Sequence, residues 1–171
     1  MGVSIGEDET DEEVPMIRFQ RILMATDFSQ DCEAAFAEAA KMAREWGSRL
    51  TVLYAYEAPA GASVLDLPAG DYFETLASVR AVAEKRLRDL ISGELTKGLD
   101  VRPLAVLGPP AETIVETAVR ERTDLIVMGT RGRRGMTRLL LGSVAATVIA
   151  TAECPVLTLR SAVRRARFEA A

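Results

Sequence analysis

The chain has 171 residues and a mass of 18.5 kDa, with 49% hydrophobic and 27% charged residues, as is typical of one globular domain with its own core. It contains no histidine and two cysteines, which excludes a Ser-His-Asp triad, a Cys-His dyad and a histidine-bound zinc site. No apolar run reaches the ~18–20 residues of a membrane-spanning helix, so we expect no membrane partner.

The net charge of -4 is concentrated at one end of the chain. Residues 1–15 carry six acids and no base, residues 161–171 carry three arginines and one acid, and residues 16–160 have no net charge. The lack of net charge over 16–160 argues against a dedicated nucleic-acid-binding protein, which usually presents a basic face. We therefore predict a disordered acidic arm over 1–15, a folded domain over 16–160 and a basic tail over 161–171.

The same features bear on where the protein resides. The segment 1–15 has no Lys, no Arg and no apolar stretch, so we expect no secretory signal there. Two cysteines are too few for a disulfide scaffold and suit a reducing compartment. The expected location is the cytoplasm.

Apolar periodicity predicts strands and helices that alternate along the chain. Continuous apolar runs predict five strands, over 19–26, 49–57, 100–107, 124–129 and 155–160. Helices are predicted between them, over 29–46 with Gly47 as the stop, 71–95, 110–122 and 143–151 with Ser143 as the N-cap. The residues 58–70, rich in Pro, Gly and Ala, are predicted to form a loop that is long enough to act as a lid.

This order predicts an α/β fold, because continuously apolar strands separated by helices form a parallel sheet that is covered on both sides. The expected architecture is a doubly wound five-stranded parallel sheet with helices on both faces. Such sheets bind ligands outside the carboxyl ends of their strands, at the point where the strand order reverses.

The segment that follows the fourth predicted strand, residues 129–143 (GTRGRRGMTRLLLGS), has the features of an anion site. Gly129 and Gly132 allow a ligand to approach the backbone, and the pair Gly142 and Ser143 opens a helix whose first N–H groups suit a phosphate. No acid occurs between Leu125 and Ala152, whereas four arginines do: Arg131, Arg133, Arg134 and Arg138.

Simpler interpretations of this loop remain open. A lone glycine pair more often marks a turn than a ligand site. Here the glycines coincide with a predicted strand end, a basic loop and a predicted helix start, which favours an anion site. Arg133 and Arg134 are equally compatible with phosphate contact and with solvated loop charges. The motifs GxxxxGK[ST] and GxGxxG are absent, so a P-loop NTPase and a Rossmann dinucleotide fold both lose support.

The glycine spacing G-x2-G-x9-G-S resembles that of nucleotide-binding members of the universal stress protein family. The stretch RILMATDFS, with Asp27 after the first strand, and the stretch GSVAATVIATAECPVLTLR extend the resemblance over about 16–160. It implies a domain of the adenine nucleotide alpha hydrolase-like type, which binds an adenine nucleotide and usually forms a homodimer.

Carried over by position, the resemblance implies three groups of site residues. Those beside adenosine are Ala25, Asp27, Ala55 and Met128. Those that wrap the ribose and phosphates are Gly129, Arg131 and Gly132. Those that hold the phosphates are Gly142, Ser143, Val144 and Ala145.

Two positions depart from the family pattern. Ala25 stands where some binders have proline or valine. Ala145 replaces a hydroxyl-bearing residue that some binders have. The loss of one neutral hydrogen bond is worth ~1 kcal/mol, so this change weakens nucleotide binding without abolishing it. Asp27 is alternatively a turn residue ahead of the helix that starts at Ser29.

The leading hypothesis is a cytoplasmic stress-response protein that binds ATP, or else AMP or ADP, and signals its nucleotide state to partners. Mg2+ would be held mainly by the nucleotide phosphates. The expected homodimer pairs through the last strand, 155–160, which is expected at a sheet edge and carries no charge from Pro155 until Arg160. The sequence does not name the regulatory partner.

Two other hypotheses compete with this one. A slow ATPase or autokinase would need a general base, for which Asp27 is the only candidate, and protein ligands for a metal, which are missing from the sequence around the loop. A nucleotide-free dimeric interaction protein would keep the fold, but the intact glycine pattern counts against it.

Overall fold

The computed structural model describes residues 18–58, 69–130 and 141–161, with no side-chain description for residues 69 and 70. The predicted acidic arm, residues 162–171 of the basic tail and most of the 58–70 loop lie outside the described residues.

Within the described residues, strands and helices alternate in the predicted order. The strands are β1 (Arg21–Ala25), β2 (Arg49–Tyr56), β3 (Val101–Leu107), β4 (Leu125–Gly129) and β5 (Val156–Leu159). The helices are α1 (Gln30–Trp46), α2 (Ala69–Ile91), α3 (Pro110–Arg120) and α4 (Ser143–Thr151). The second helix was predicted over 71–95 but spans Ala69–Ile91, so it begins inside the predicted 58–70 loop and ends four residues early; a separate 3-10 turn, Glu94–Thr96, follows it.

The strands form one parallel sheet in the order β3-β2-β1-β4-β5. The strand order therefore reverses between β1 and β4, and the predicted doubly wound fold is confirmed. The last residue of β1, Ala25, lies opposite Leu53 of β2 and Met128 of β4. The carboxyl ends of β1 and β4 thus meet at the reversal point, whereas β2 continues for three residues beyond Leu53.

An apolar core lies on each face of the sheet. On one face α1 and α2 cover residues such as Met24 and Val127, which are fully buried. On the other face α3 and α4 cover their neighbours Leu23 and Ile126, which are buried to the same degree. Burial on both faces explains why these strands are continuously apolar. No helix in the described part of the chain is long and apolar enough to cross a membrane.

Asp124, which precedes β4, is hydrogen-bonded to the amino end of β1. Its two carboxylate oxygens accept the backbone N–H groups of Gln20 and Arg21, each at 2.9 Å. This carboxylate lies at the edge of the sheet opposite the reversal point, where the carboxyl ends meet.

The first helix ends at Gly47, as predicted. Gly47 has φ 69° and ψ 29°, a left-handed conformation, and its N–H donates to the carbonyl of Ala43. A side chain at this position would meet no atom within 4 Å. The need for glycine is therefore conformational and not steric.

Replacement of Gly47 by alanine should lower the free energy of unfolding by about 1–2 kcal/mol, because alanine is strained in the left-handed region. Gly93→Ala is the matched control: Gly93 also has open space around it but adopts φ -84°, so its replacement should be neutral or slightly stabilising. Urea titration of both variants measures the difference, and equal effects would contradict the conformational explanation.

Candidate functional site

A tight turn links β1 to α1 at the carboxyl edge of the sheet. The Asp27 carboxylate accepts the Ser29 N–H at 3.0 Å, and the Thr26 hydroxyl oxygen accepts the Phe28 N–H at 3.0 Å. Asp27 is thus a turn residue, as the simpler interpretation held. The same bond holds its carboxylate two residues beyond the end of β1, at the position where the family resemblance implies a ligand contact.

The centre of this turn is strained. Phe28 adopts φ 62°, which is rare for a bulky side chain. Its ring packs edge-on against Tyr54, with centroids 4.8 Å apart, and the Arg86 guanidinium lies 4.3 Å from its centroid. Contacts from β2 and α2 therefore hold the turn in place.

The residues predicted beside adenosine lie on neighbouring strands. Ala25 and Met128 are paired across β1 and β4, and each is 5% exposed. Both belong to the core under α3 and α4. Ala55 is half-buried near the end of β2, opposite Val106. The structure brings Ala25 and Met128 together and leaves Ala55 on the next strand.

Gly129, the last residue of β4, lies against the start of α1. A Cβ added to it would come within 3.0 Å of the carbonyl carbon and Cβ of Asp31 and the amide nitrogen of Cys32. These are mainly backbone atoms, which cannot move aside easily. A side chain here would force α1 to move by a few tenths of an ångström, so glycine allows the close approach of α1 whether or not a ligand also approaches.

The two ends of the glycine-rich loop meet. The Gly142 N–H donates to the Thr130 carbonyl at 2.8 Å, so the residue just before α4 lies beside the residue that follows β4. Arg131 and Gly132 lie outside the described residues, as do Arg133, Arg134 and Arg138.

The start of α4 is one residue away from its predicted N-cap. Gly142 is the N-cap, with an extended backbone at φ -63° and ψ 149°, and Ser143 is already the first helical residue. The prediction that Ser143 caps the helix was therefore wrong. The reason is that the bond to Thr130 holds Gly142 as the residue at which the chain enters the helix.

The first turn of α4 suits an anion. It has no side-chain cap hydrogen bond and no acidic residue, so the positive end of the helix dipole is not neutralised by its own side chains. Ser143 is exposed and Val144 is half-buried. Ala145 is 2% exposed and packs with Val148 in the core, so its methyl group serves packing.

A buried aspartate that the sequence analysis missed also lies at this edge. Asp31, in the first turn of α1, is 4% exposed. One carboxylate oxygen accepts the Thr130 hydroxyl at 3.0 Å, and the other accepts the Ser161 N–H at 3.0 Å and the Ser161 hydroxyl at 2.7 Å. Its partners are 99 and 130 residues away in sequence. The only signal was an acid in an alanine-rich helix, where the dipole favours it.

Neither thiol is activated. Burial raises the pKa of the Cys32 thiol, which lies beneath the turn and points to the Ala25 carbonyl, 3.8 Å from its sulfur. Desolvation, followed by the negative charge of Asp124, raises the pKa of the Cys154 thiol. Both groups are therefore protonated and weakly nucleophilic at neutral pH. Among the described residues, no cluster of three or more His, Cys, Asp or Glu side chains could hold a metal ion.

Alkylation by iodoacetamide at pH 7.5 should label Cys154 before Cys32. Cys154 is half-buried and Cys32 is 6% exposed, so the buried thiol should react only when the protein unfolds. Mass spectrometry of the Cys154→Ser variant, which keeps one thiol, isolates the rate at Cys32. Labelling of native Cys32 as fast as a free thiol would contradict this burial.

Comparison with known proteins gives one consistent family. The model of the Universal stress protein family matches residues 18–160. A universal stress protein of Thermus aquaticus is 38% identical over 142 residues, which cover 83% of this chain and 99% of that protein.

Solved structures share the fold. Protein MJ0577, a universal stress protein of Methanocaldococcus jannaschii, has a TM-score of 0.74 and 26% identity, with 84% of this chain and 97% of that chain covered. A universal stress protein solved with cAMP has a TM-score of 0.55 and 23% identity, covering 84% of this chain and 98% of its own. One from Archaeoglobus fulgidus solved with dAMP has a TM-score of 0.51 and 23% identity, covering 84% and 99%.

Proposed function

Because this chain belongs to the universal stress protein family, we propose that it binds an adenine nucleotide at the carboxyl edge of its sheet. The protein is a binding module that reports its nucleotide state to partners in the cytoplasm during stress. Its two free thiols are compatible with a reducing compartment.

One observation carries this proposal. The N-terminus of α4 is anchored to the end of β4 by the 2.8 Å bond from Gly142 to Thr130. This places an uncapped helix start beside the point where the strand order reverses, the usual ligand position in such sheets. The amides of Ser143, Val144 and Ala145 would hold phosphate there.

The remaining residues of the proposed site lie along the same edge. Ala25 and Asp27 follow β1 and would lie beside adenosine, with Ala55 and Met128 on the flanking strands. Gly129 would face the ribose and phosphates, and Arg131 and Gly132 join it on the strength of the family spacing.

The ligand class is supported by two relatives. Structures of the same fold were solved with cAMP and with dAMP, both of which are adenine nucleotides. We expect Mg2+ to bind as a companion of the phosphates, and the first turn of α4 contributes no acidic residue to coordinate the ion.

ATP should raise the melting temperature of the protein, and Mg2+ should increase the shift. A ligand that binds only the folded state stabilises it by about 2.7 kcal/mol at a hundredfold excess over Kd. Differential scanning fluorimetry with ATP, ADP, AMP and GTP measures the shift and its base preference. No shift with any adenine nucleotide at millimolar concentration would contradict the proposal and favour a nucleotide-free interaction protein.

The variant Gly142→Val locates the site in the same experiment. Gly142 has an extended backbone that valine tolerates, so the variant should fold but lose the ATP shift, because its side chain occupies the space that phosphate needs. Gly93→Val is the matched control, since Gly93 is also an extended N-cap residue far from the site. Normal ATP binding by folded Gly142→Val would show that the site lies elsewhere.

The proposal includes a homodimer that forms through β5. This strand lies at the edge of the described sheet, as expected. The carbonyls of Pro155 and Leu159 accept N–H groups of Ile126 and Thr130 at 3.0 and 2.8 Å. Backbone direction alternates along a strand, so Val156 and Thr158 direct their N–H and C=O groups to the outer edge, where a second copy would pair.

Thr158→Pro should therefore yield monomers, because proline removes an outward N–H and is tolerated on edge strands. Thr158→Val keeps that N–H and a similar shape, and should remain dimeric. Light scattering at tens of micromolar distinguishes the two species. A monomeric wild type, or a dimeric Thr158→Pro variant, would show that this edge is not the interface.

A further inference from the structure

Thr130 joins three parts of the molecule at the carboxyl edge of the sheet. Its N–H donates to the Leu159 carbonyl at 2.8 Å, and its own carbonyl accepts the Gly142 N–H at 2.8 Å. Its hydroxyl donates to Asp31 at 3.0 Å. One residue, 9% exposed, thereby connects the end of β5, the N-cap of α4 and the first turn of α1.

The aspartate that receives the Thr130 hydroxyl is itself rigidly placed. Asp31 is a helical residue, and its backbone lies so close to Gly129 that a Cβ added there would be 3.0 Å from the Asp31 carbonyl carbon. Its other oxygen is held by the two donors of Ser161. The carboxylate therefore holds Thr130, which follows β4, and Ser161, the second residue after β5, in a fixed relative position.

We propose that Asp31 is a positioning residue for the anion site: it holds Thr130 by its hydroxyl, and Thr130 in turn holds the carbonyl to which Gly142 is bonded. This relay sets the position of the α4 amides relative to β4. The inference rests on the proposed function for the identity of the ligand. The hydrogen bonds from Thr130 to Asp31 and from Gly142 to Thr130 are observed contacts and do not depend on it.

The substitution that tests the relay must not change the charge near a phosphate. Thr130→Val removes only the hydroxyl that Asp31 receives and keeps the shape of the side chain. Thr130→Ser restores the hydroxyl. Asp31→Asn is a second variant, and Asp124→Asn is its control, because the Asp124 carboxylate also accepts hydrogen bonds from backbone N–H groups but lies at the opposite edge of the sheet.

The first measurement is hydrogen exchange at the Gly142 amide in the ligand-free protein. Thr130→Val and Asp31→Asn should accelerate exchange about tenfold, as expected from the loss of one supporting hydrogen bond. Thr130→Ser and Asp124→Asn should leave it near the wild-type rate, although Asp124→Asn lowers overall stability. Unchanged protection of Gly142 in both Thr130→Val and Asp31→Asn would overturn the inference.

The second measurement is the Kd for ATP by isothermal titration calorimetry. Thr130→Val should bind about tenfold more weakly than wild type, with Thr130→Ser and Asp124→Asn close to wild type. Binding by Thr130→Val as tight as by wild type would overturn the inference while leaving the proposed function intact. If the wild type binds no nucleotide, the proposed function fails, and the exchange at Gly142 alone decides whether Asp31 positions the helix start.

Discussion

The architecture depends on the handedness of the crossovers that leave β1 and β4. These strands are neighbours, yet the chain proceeds from β1 to β2 on one side and from β4 to β5 on the other. Parallel connections are right-handed, so two that run in opposite directions must place their helices on opposite faces. The helices that follow β1 and β4 indeed belong to separate cores, and both begin at the same edge.

The same constraint positions the candidate site. The helices α1 and α4 start from adjacent strands and lie on opposite faces of the sheet, and sheets of this kind bind ligands at the point where the strand order reverses. Gly129 allows the close approach of α1, and Asp31 accepts hydrogen bonds from Thr130 after β4 and from Ser161 after β5. The packing of α1 and the geometry of the proposed site therefore depend on the same few residues.

Stability comes from the two cores and not from surface charge. Central residues such as Leu23, Val52 and Ile126 are fully buried, and removal of such a side chain typically costs several kcal/mol, roughly 2–5 for Leu or Ile to Ala. The ion pair of Lys85 with Asp89 on α2, at 2.7 Å, joins two side chains that are both more than half exposed and contributes little to stability. A rigid sheet can then carry a site whose chemistry lies in loops and helix starts.

The elements and their order could be predicted from the chain alone, because burial on both faces of a sheet and glycine stops leave local patterns. The five apolar runs and the stop at Gly47 were predictable in this way. That Gly142 and not Ser143 caps α4 was not, since the N–H of Gly142 is bonded to the carbonyl of Thr130. The tertiary structure also decided the role of Asp31, whose partners Thr130 and Ser161 lie about a hundred or more residues away in sequence. The spacing of apolar residues along the chain shows whether a segment forms a helix or a strand. Contacts between distant segments form only when the sheet brings the strand ends together, so no local pattern predicts them.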